Sequence, residues 1–370
     1  WEDYDAAYNG MRKQDEYNER VRASDMFLAL FHKKAGKFTI EEFNIARKAF
    51  DEQASPKIYT YIKDLEAGES ESRELAEFKR LMLEELGHYW CRYSNFDTMQ
   101  LHFVLQLQMV EATTPIKVEV KESQVKIGDS TIADLNNVPF TSENTTHKEL
   151  KSRKEQLDRE IGNAESGGRR GFFGQRSRTT DEELANLRAE RESVTEQIER
   201  QEKALVDTAM SIARMQGGEC SSRMRTAAEL FEKGESGKAE AVLKEDDMEA
   251  DATNAKLKFD TAAQPTAELA RNIERCAGEY MLKARIVISG IADESRYLKA
   301  AKLMSTAIDL VSGRLPEETL AEYLFDYAVL LTDAGQQTKA LETWERLSVV
   351  TPLHSVKHLY KVEISIIPSI

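Results

Sequence analysis

The stretch that most restricts what this chain can fold into runs from Asp25 to Phe43. Met26 to Phe31 is an unbroken apolar run, Met-Phe-Leu-Ala-Leu-Phe. A strand covered on both faces of a parallel sheet has this composition, because neither face meets water. Gly36 ends the run and a helical pattern follows. Thr39 is expected to cap that helix, with Glu42 three residues later as its capping-box partner. Phe38 and Glu42 are four apart and share a face if the first turn begins early enough. In open α/β sheets, ligands bind beyond the carboxyl ends of the strands, where this loop and helix start lie.

The alternation of strand and helix continues on both sides. A helix is expected over 14–23, with Tyr17 and Val21 on one face, and another over 40–52, ended by Ser55-Pro56. Lys57 to Ile62 is rich in β-branched and aromatic residues and reads as a second strand. An acidic loop from Glu66 to Glu74 leads to a helix with Leu75, Phe78, Met82 and Leu86 at helical spacing. Tyr89 to Tyr93 is a short third strand, and Phe96 to Val110 a closing amphipathic helix. Residues 1–112 therefore read as an α/β domain with a parallel, doubly wound sheet. Over 113–145 the character changes. Ile116, Val118 and Val120 alternate with charge, as do Val125 and Ile127, which predicts a hairpin or edge ribbon. Asn136-Asn137-Val138-Pro139 is a turn or linker.

Residues 146–215 read as a helical hairpin of coiled-coil character. Leu150, Leu157 and Ile161 mark one arm. Leu184, Leu187, Val194, Ile198 and Leu205 mark the other, with Arg191 and Gln201 interrupting. The basic, glycine-rich tip at 167–178 reads first as a solvated loop. Residues 216–370 carry an all-α repeat. Leu324, Tyr327, Ala328, Leu331, Gly335, Ala340, Trp344, Leu347 and Pro352 fit tetratricopeptide spacing. Ala227, Leu230, Gly234, Ala239 and Leu243 form a weaker copy, and Tyr297, Ala300, Ala301, Met304, Ala307 and Ile308 the second helix of another. One such unit cannot bury its own apolar face, so a short helical solenoid is expected.

Composition removes several function classes. A net charge of −14 argues against a general nucleic-acid binder; a local basic patch could still bind phosphate, so a nucleic-acid complex stays open although the sequence does not indicate one. No apolar run approaches the ~20 residues that span a bilayer, so no membrane association is expected. Cys91, Cys220 and Cys276 are odd in number and far apart, which disfavours a disulfide framework and fits a reducing cytoplasm. Seven prolines and eighteen glycines in 370 residues favour long helices over many short strands. The chain opens at Trp1 and mid-pattern, so an N-terminal piece is expected to precede it.

The residues from Arg12 to Tyr17, the strand Ser24 to Phe31, and Phe38-Thr39-Ile40-Glu41-Glu42-Phe43 resemble the Toll/interleukin-1 receptor (TIR) domain family, especially bacterial members fused to helical repeats. Those enzymes carry an aromatic residue four before a glutamate, followed by an apolar residue. Here Phe38 stands in the aromatic place, where the family usually has Trp, Glu42 is the glutamate and Phe43 the apolar residue. The family's first strand is absent from this chain.

The resemblance implies cleavage of the nicotinamide–ribose bond of NAD⁺, with NAD⁺ as substrate and no cofactor or metal. A lone carboxylate suits that chemistry. Nicotinamide leaves neutral, so no acid need protonate it, and the ribose passes through an oxocarbenium-like state. Glu42 would face the developing positive charge, Phe38 would stack on the pyridinium, and Lys33, Lys34 and Lys37 would attract the pyrophosphate. Thr39, Glu41 and His32 complete the expected substrate-binding set.

Each residue also has a plainer reading. Glu42 can be a helix-start carboxylate favoured by the dipole, and Phe38 a core residue. Glu41 is about 100° round the helix from Glu42, so one of the two is expected to face the pocket. His32 reads first as a solvated loop histidine. His88 and Cys91 lie on opposite faces of a strand and make a poor ligand pair. Glu245-Asp246-Asp247-Met248-Glu249 reads as a charged solenoid loop.

The leading function is an NAD⁺-consuming effector, of the kind that serves bacterial antiphage defence. It would self-associate through the TIR-like domain and be triggered by a protein or phage-derived partner on the repeats. The rival is a non-catalytic adaptor, since tetratricopeptide repeats are mostly peptide-binding scaffolds.

Overall fold

The structure, a computed structural model, describes residues 13–86, 90–107, 118–167, 181–215, 220–290 and 295–350. Most of these are helical, with a small parallel sheet and a small antiparallel one. The chain divides into two compact units, 1–99 and 100–370.

The first unit runs α1 (Lys13–Arg22), β1 (Met26–Phe31), α2 (Lys37–Gln53), β2 (Lys57–Lys63), α3 (Arg73–Glu84) and β3 (Cys91–Tyr93). The strands are parallel in the order β1-β2-β3, with Met26 opposite Lys57 and Tyr61 opposite Cys91. Side chains alternate across the sheet. Ala29, Phe31 and Ile62 point to one face, where Phe43 of α2 and Leu75, Phe78 and Met82 of α3 close a core. The Phe78 ring centroid lies 4.9 Å from that of Phe31 and 5.0 Å, edge-on, from that of Phe43.

Both crossover helices thus cover one face, as right-handed connections require when each strand is added on the same side of the last. The expected parallel sheet is present. The expected double winding is not seen in these three strands, because it needs a reversal of strand order and this order has none. On the other face Tyr61 is 1% exposed and its ring lies 6.4 Å from that of Tyr93, whereas Leu30 is 45% exposed. The apolar run is therefore covered on one side only at that end.

The second unit holds most of α4 (Phe96–Leu107), whose Leu101 and Leu105 enter the main core. Next come β4 (Val118–Lys121), β5 (Gln124–Ile127) and β6 (Ser130–Asp134), an antiparallel meander. Glu122 and Ser123 both have positive φ, 54° and 59°, the geometry of a two-residue hairpin turn. The third strand, β6, was not expected, since Ser130–Asp134 shows little alternation.

A short α5 (Pro139–Ser142) leads to the hairpin α6 (Thr145–Gly167) and α7 (Asp181–Met215), stitched by Leu157, Val194 and Ile198 with Leu150 and Leu187 packed against them. Then follow α8 (Ser222–Glu232), α9 (Ser236–Val242), α10 (Glu245–Thr261), α11 (Ala267–Gly290), α12 (Ser295–Val311), α13 (Glu317–Asp333) and α14 (Gln337–Val350). Helices pack on their neighbours in sequence, α8 on α9, α11 on α12 and α13 on α14. Gly335, at φ 69°, makes the turn between α13 and α14, and Ala328 and Ala340 are buried in that pair.

The acidic run at 245–249 is not a loop. It is the first turn of α10, where three carboxylates complement the helix dipole and Met248 is 1% exposed. His88, Pro352 and most of the basic tip lie outside the described residues.

Candidate functional site

Gly36 determines how the candidate residues are placed. It is extended, at φ −65° and ψ 141°, and its carbonyl accepts from Ile40 N at 2.9 Å, so α2 starts at Lys37 rather than near residue 40. No side chain caps the helix. Thr39 falls inside the first turn and the expected capping box does not form. Glu42 sits in the second turn, past the open N–H groups that a box would serve, and its carboxylate turns elsewhere.

It turns to α1. Gln14 Nε2 donates to Glu42 Oε1 at 2.8 Å, and Asn18 Nδ2 donates to Glu41 Oε1 at 2.8 Å. Gln14 also donates to Asn18 Oδ1 at 3.3 Å. Gln14 and Asn18 are 8% and 4% exposed, while both glutamates are half-buried. Glu41 and Glu42 therefore face the same neighbour, although only one was expected to face inward. The reason is the partner's spacing: two amides four apart on α1 meet adjacent carboxylates on α2. Neutral amides satisfy carboxylate lone pairs without cancelling their charge.

The rim formed by the loops after β1 and β2 is a separate cluster. Lys33 Nζ lies 2.5 Å from Glu69 Oε1, and His32 Nε2 lies 3.2 Å from Glu69 Oε2. Glu66 N donates to Glu69 Oε2 at 3.1 Å. Ser72 N donates to the Lys33 carbonyl at 2.8 Å, and Ser72 Oγ caps α3 by accepting from Leu75 N. The Lys33 ammonium and the Glu66 amide hold the Glu69 carboxyl down at about 2. Of the expected phosphate-attracting lysines, Lys33 is thus already matched, while Lys34 and Lys37 are exposed. Phe38 is 55% exposed, so it is not a core residue.

The structure brings Glu41 and Glu42 together on α1, and groups His32 with Lys33 on Glu69. Gln14, Asn18 and Glu69 are the residues that sequence reasoning missed. The signal for the first two was present: in Lys-Gln-Asp-Glu-Tyr-Asn-Glu-Arg-Val-Arg they are the two amides, four apart, among charged residues.

A second polar cluster lies in the second unit. Glu202, fully buried on α7, receives Ser123 Oγ–H at 2.7 Å on Oε1 and contacts His147 Nε2 of α6 at 2.9 Å. Lys151 Nζ donates to Ser123 Oγ at 2.6 Å and lies 3.6 Å from Glu202 Oε1. Burial alone would raise the Glu202 carboxyl, but the His147, Ser123 and Lys151 contacts together leave it below the ordinary value. This cluster ties the β4–β5 turn to both arms of the hairpin.

Among the described residues no group of three or more His, Cys, Asp or Glu is arranged to hold a metal ion, and no helix is long and apolar enough to cross a membrane. No family model, no curated protein and no solved structure matches this chain.

Proposed function

We propose that the first unit is a TIR-like domain that cleaves the nicotinamide–ribose bond of NAD⁺, with Glu42 as the catalytic residue. The observation that carries this reading is the setting of Glu42. It is a half-buried carboxylate in the second turn of the helix that leaves the carboxyl end of β1, and it is held by one neutral amide at 2.8 Å. Among the described residues it makes no ion pair. Placed under the ribose, it stabilises the oxocarbenium-like state as the bond to the cationic base lengthens. No proton transfer to the leaving group is needed. Lys34 and Lys37, exposed nearby in sequence, attract the pyrophosphate, and Phe38 offers a ring to the pyridinium. The helical pairs of the second unit then act as a tetratricopeptide-like receiver for a trigger, in the manner of an antiphage effector, and self-association of the first unit completes the site.

The test is direct. Purified protein is mixed with NAD⁺, dilute and under crowding, and free nicotinamide is followed. Glu42→Gln should abolish release while the fold persists. Loss of release with Glu41→Gln alone would move the assignment to Glu41. A second reading, a non-catalytic adaptor, is favoured by the exposure of Phe38, which gives the first unit an apolar contact for a protein partner. It predicts that no condition releases nicotinamide and that Phe38→Ala disrupts a pull-down with other copies of the chain.

A further inference from the structure

We infer that Gln14 is a positioning residue for the proposed cleavage, holding Oε1 of Glu42 so that the second carboxylate oxygen meets the sugar. This role rests on the proposed function for the reaction, and deepens it by naming what aims the catalytic carboxylate.

A glutamate side chain turns about several bonds, and a reaction that needs one of its rotamers gains rate when the choice is made beforehand. Four features of the Gln14–Glu42 contact make that choice. The first is reach and shelter. Gln14 Nε2 lies 2.8 Å from Glu42 Oε1, and Gln14 is 8% exposed, so little water competes for the bond. The second is direction. An ionised carboxylate only accepts, so Gln14 must present its NH₂ to Glu42, and Asn18 must present its own to Glu41 at 2.8 Å. Asn18 is thereby left with Oδ1 toward Gln14, whose Nε2 donates to it at 3.3 Å. The amide of Gln14 is thus fixed from two sides and cannot flip without breaking both bonds. The third is charge. A neutral donor fills a lone pair without cancelling the negative charge that stabilises an oxocarbenium-like state. The fourth is what remains. Among the described residues Glu42 makes no other side-chain hydrogen bond, and this one is on Oε1, which leaves Oε2 for the ribose. Asn18 acts one bond further away, through Gln14. Neither amide touches a reacting atom.

The experiment uses the full chain under crowding and follows nicotinamide release from NAD⁺ at steady state. The variants are Gln14→Met, Gln14→Asn, Asn18→Leu, and the double substitution Gln14→Met with Asn18→Leu, with Glu42→Gln as the control. Methionine nearly matches glutamine in length but cannot donate. Asparagine keeps the amide but is one methylene shorter, so it falls short of Oε1 and decides the matter if the methionine variant does not fold. Each Gln14 variant should lower kcat about tenfold. KM should stay within about twofold, because the aim of the carboxylate counts in the transition state and not in substrate binding. Asn18→Leu should lower kcat about threefold, and the double variant should be no worse than Gln14→Met, because links of one chain fail together. Independent damage to the packing of two helices would multiply the losses instead.

Two failures are separable. If release occurs and Glu42→Gln abolishes it, yet the Gln14 variants keep kcat within about twofold or change KM alone, the positioning role is wrong and the catalytic reading stands. Losses that multiply in the double variant also overturn it, since the contact is then structural. No release from the unaltered chain in any condition removes the catalytic reading and the role of Gln14 with it.

Discussion

A carboxylate held by an ammonium and one held inside a polar cluster respond to acid in ways that can be measured singly. Glu69 is held at about 2 by Lys33 and the Glu66 amide, against an ordinary 4.5. Its folded value is depressed, so its contribution to stability is present above 4.5 and is lost as the pH falls toward 2. Carbon-13 NMR titration of the Glu69 carboxyl should show this, and an ordinary midpoint would mean that Lys33 does not hold it in solution. Glu202 has the same sign but is buried, so its partners also matter. Glu202→Leu strands His147, which is 3% exposed, and should lower stability by about 3 kcal/mol in denaturant unfolding. A change below about 0.5 kcal/mol, as for an ordinary surface substitution, would deny the cluster its fastening role. At this scale the sequence shows which residues are acidic but not what answers them. Glu42 was legible from its distance to Phe38 and its place after an apolar run. Gln14 was not, because the pairing is made by two helices meeting and no spacing within one segment encodes it.

Elements were more legible than their ends. Helical periodicity located the hairpin and the paired helices, because each buries a stripe that recurs with the helix turn. The start of α2 was missed because Gly36, an extended residue with no side chain, opens the helix through its backbone carbonyl where Thr39 offered a conventional cap. The strand β6 was missed because its pairing with β5 is set by the turn and not by alternation.

Two glycines test how turns hold these elements. Gly335 and Gly234 both have positive φ, 69° and 78°. A Cβ on Gly335 meets nothing within 4 Å, so Gly335→Ala should cost only the backbone strain, about 1 kcal/mol. A Cβ on Gly234 would lie 2.6 Å from Glu143 Cβ and 2.7 Å from the Pro139 carbonyl oxygen. Gly234→Ala must therefore displace backbone as well and should cost about 3 kcal/mol. Thermal unfolding of the two variants compares them, and equal losses would contradict the crowding at Gly234.

At the scale of the whole molecule, the change of character along the sequence follows a change of core. The first unit rests on a small set, Ala29, Phe31, Ala35, Phe43, Ile62, Leu75, Phe78 and Met82, and none of these belongs to the larger core of the second unit. Phe78 touches two other rings, and Phe78→Ala should cost about 3–5 kcal/mol. Hydrogen exchange should then show loss of protection through 26–84, while the α11–α13 amides stay protected; loss of both together would contradict the separation of cores. Strand–helix alternation made the first unit legible as α/β. The direction of winding was not legible, because strand order depends on crossovers that no local pattern records.

Burial of phenols has an optical consequence. Tyr61 in the first unit, and Tyr280 and Tyr323 in the second, are all held above the ordinary 10 by desolvation, Tyr280 to about 12. A raised folded value means that protection is complete below 10 and drains away as alkali is added. Each of these side chains can become phenolate only as its own surroundings let water in. The ultraviolet absorbance of an alkaline titration therefore records, in colour and without any label, when each part of the chain gives way.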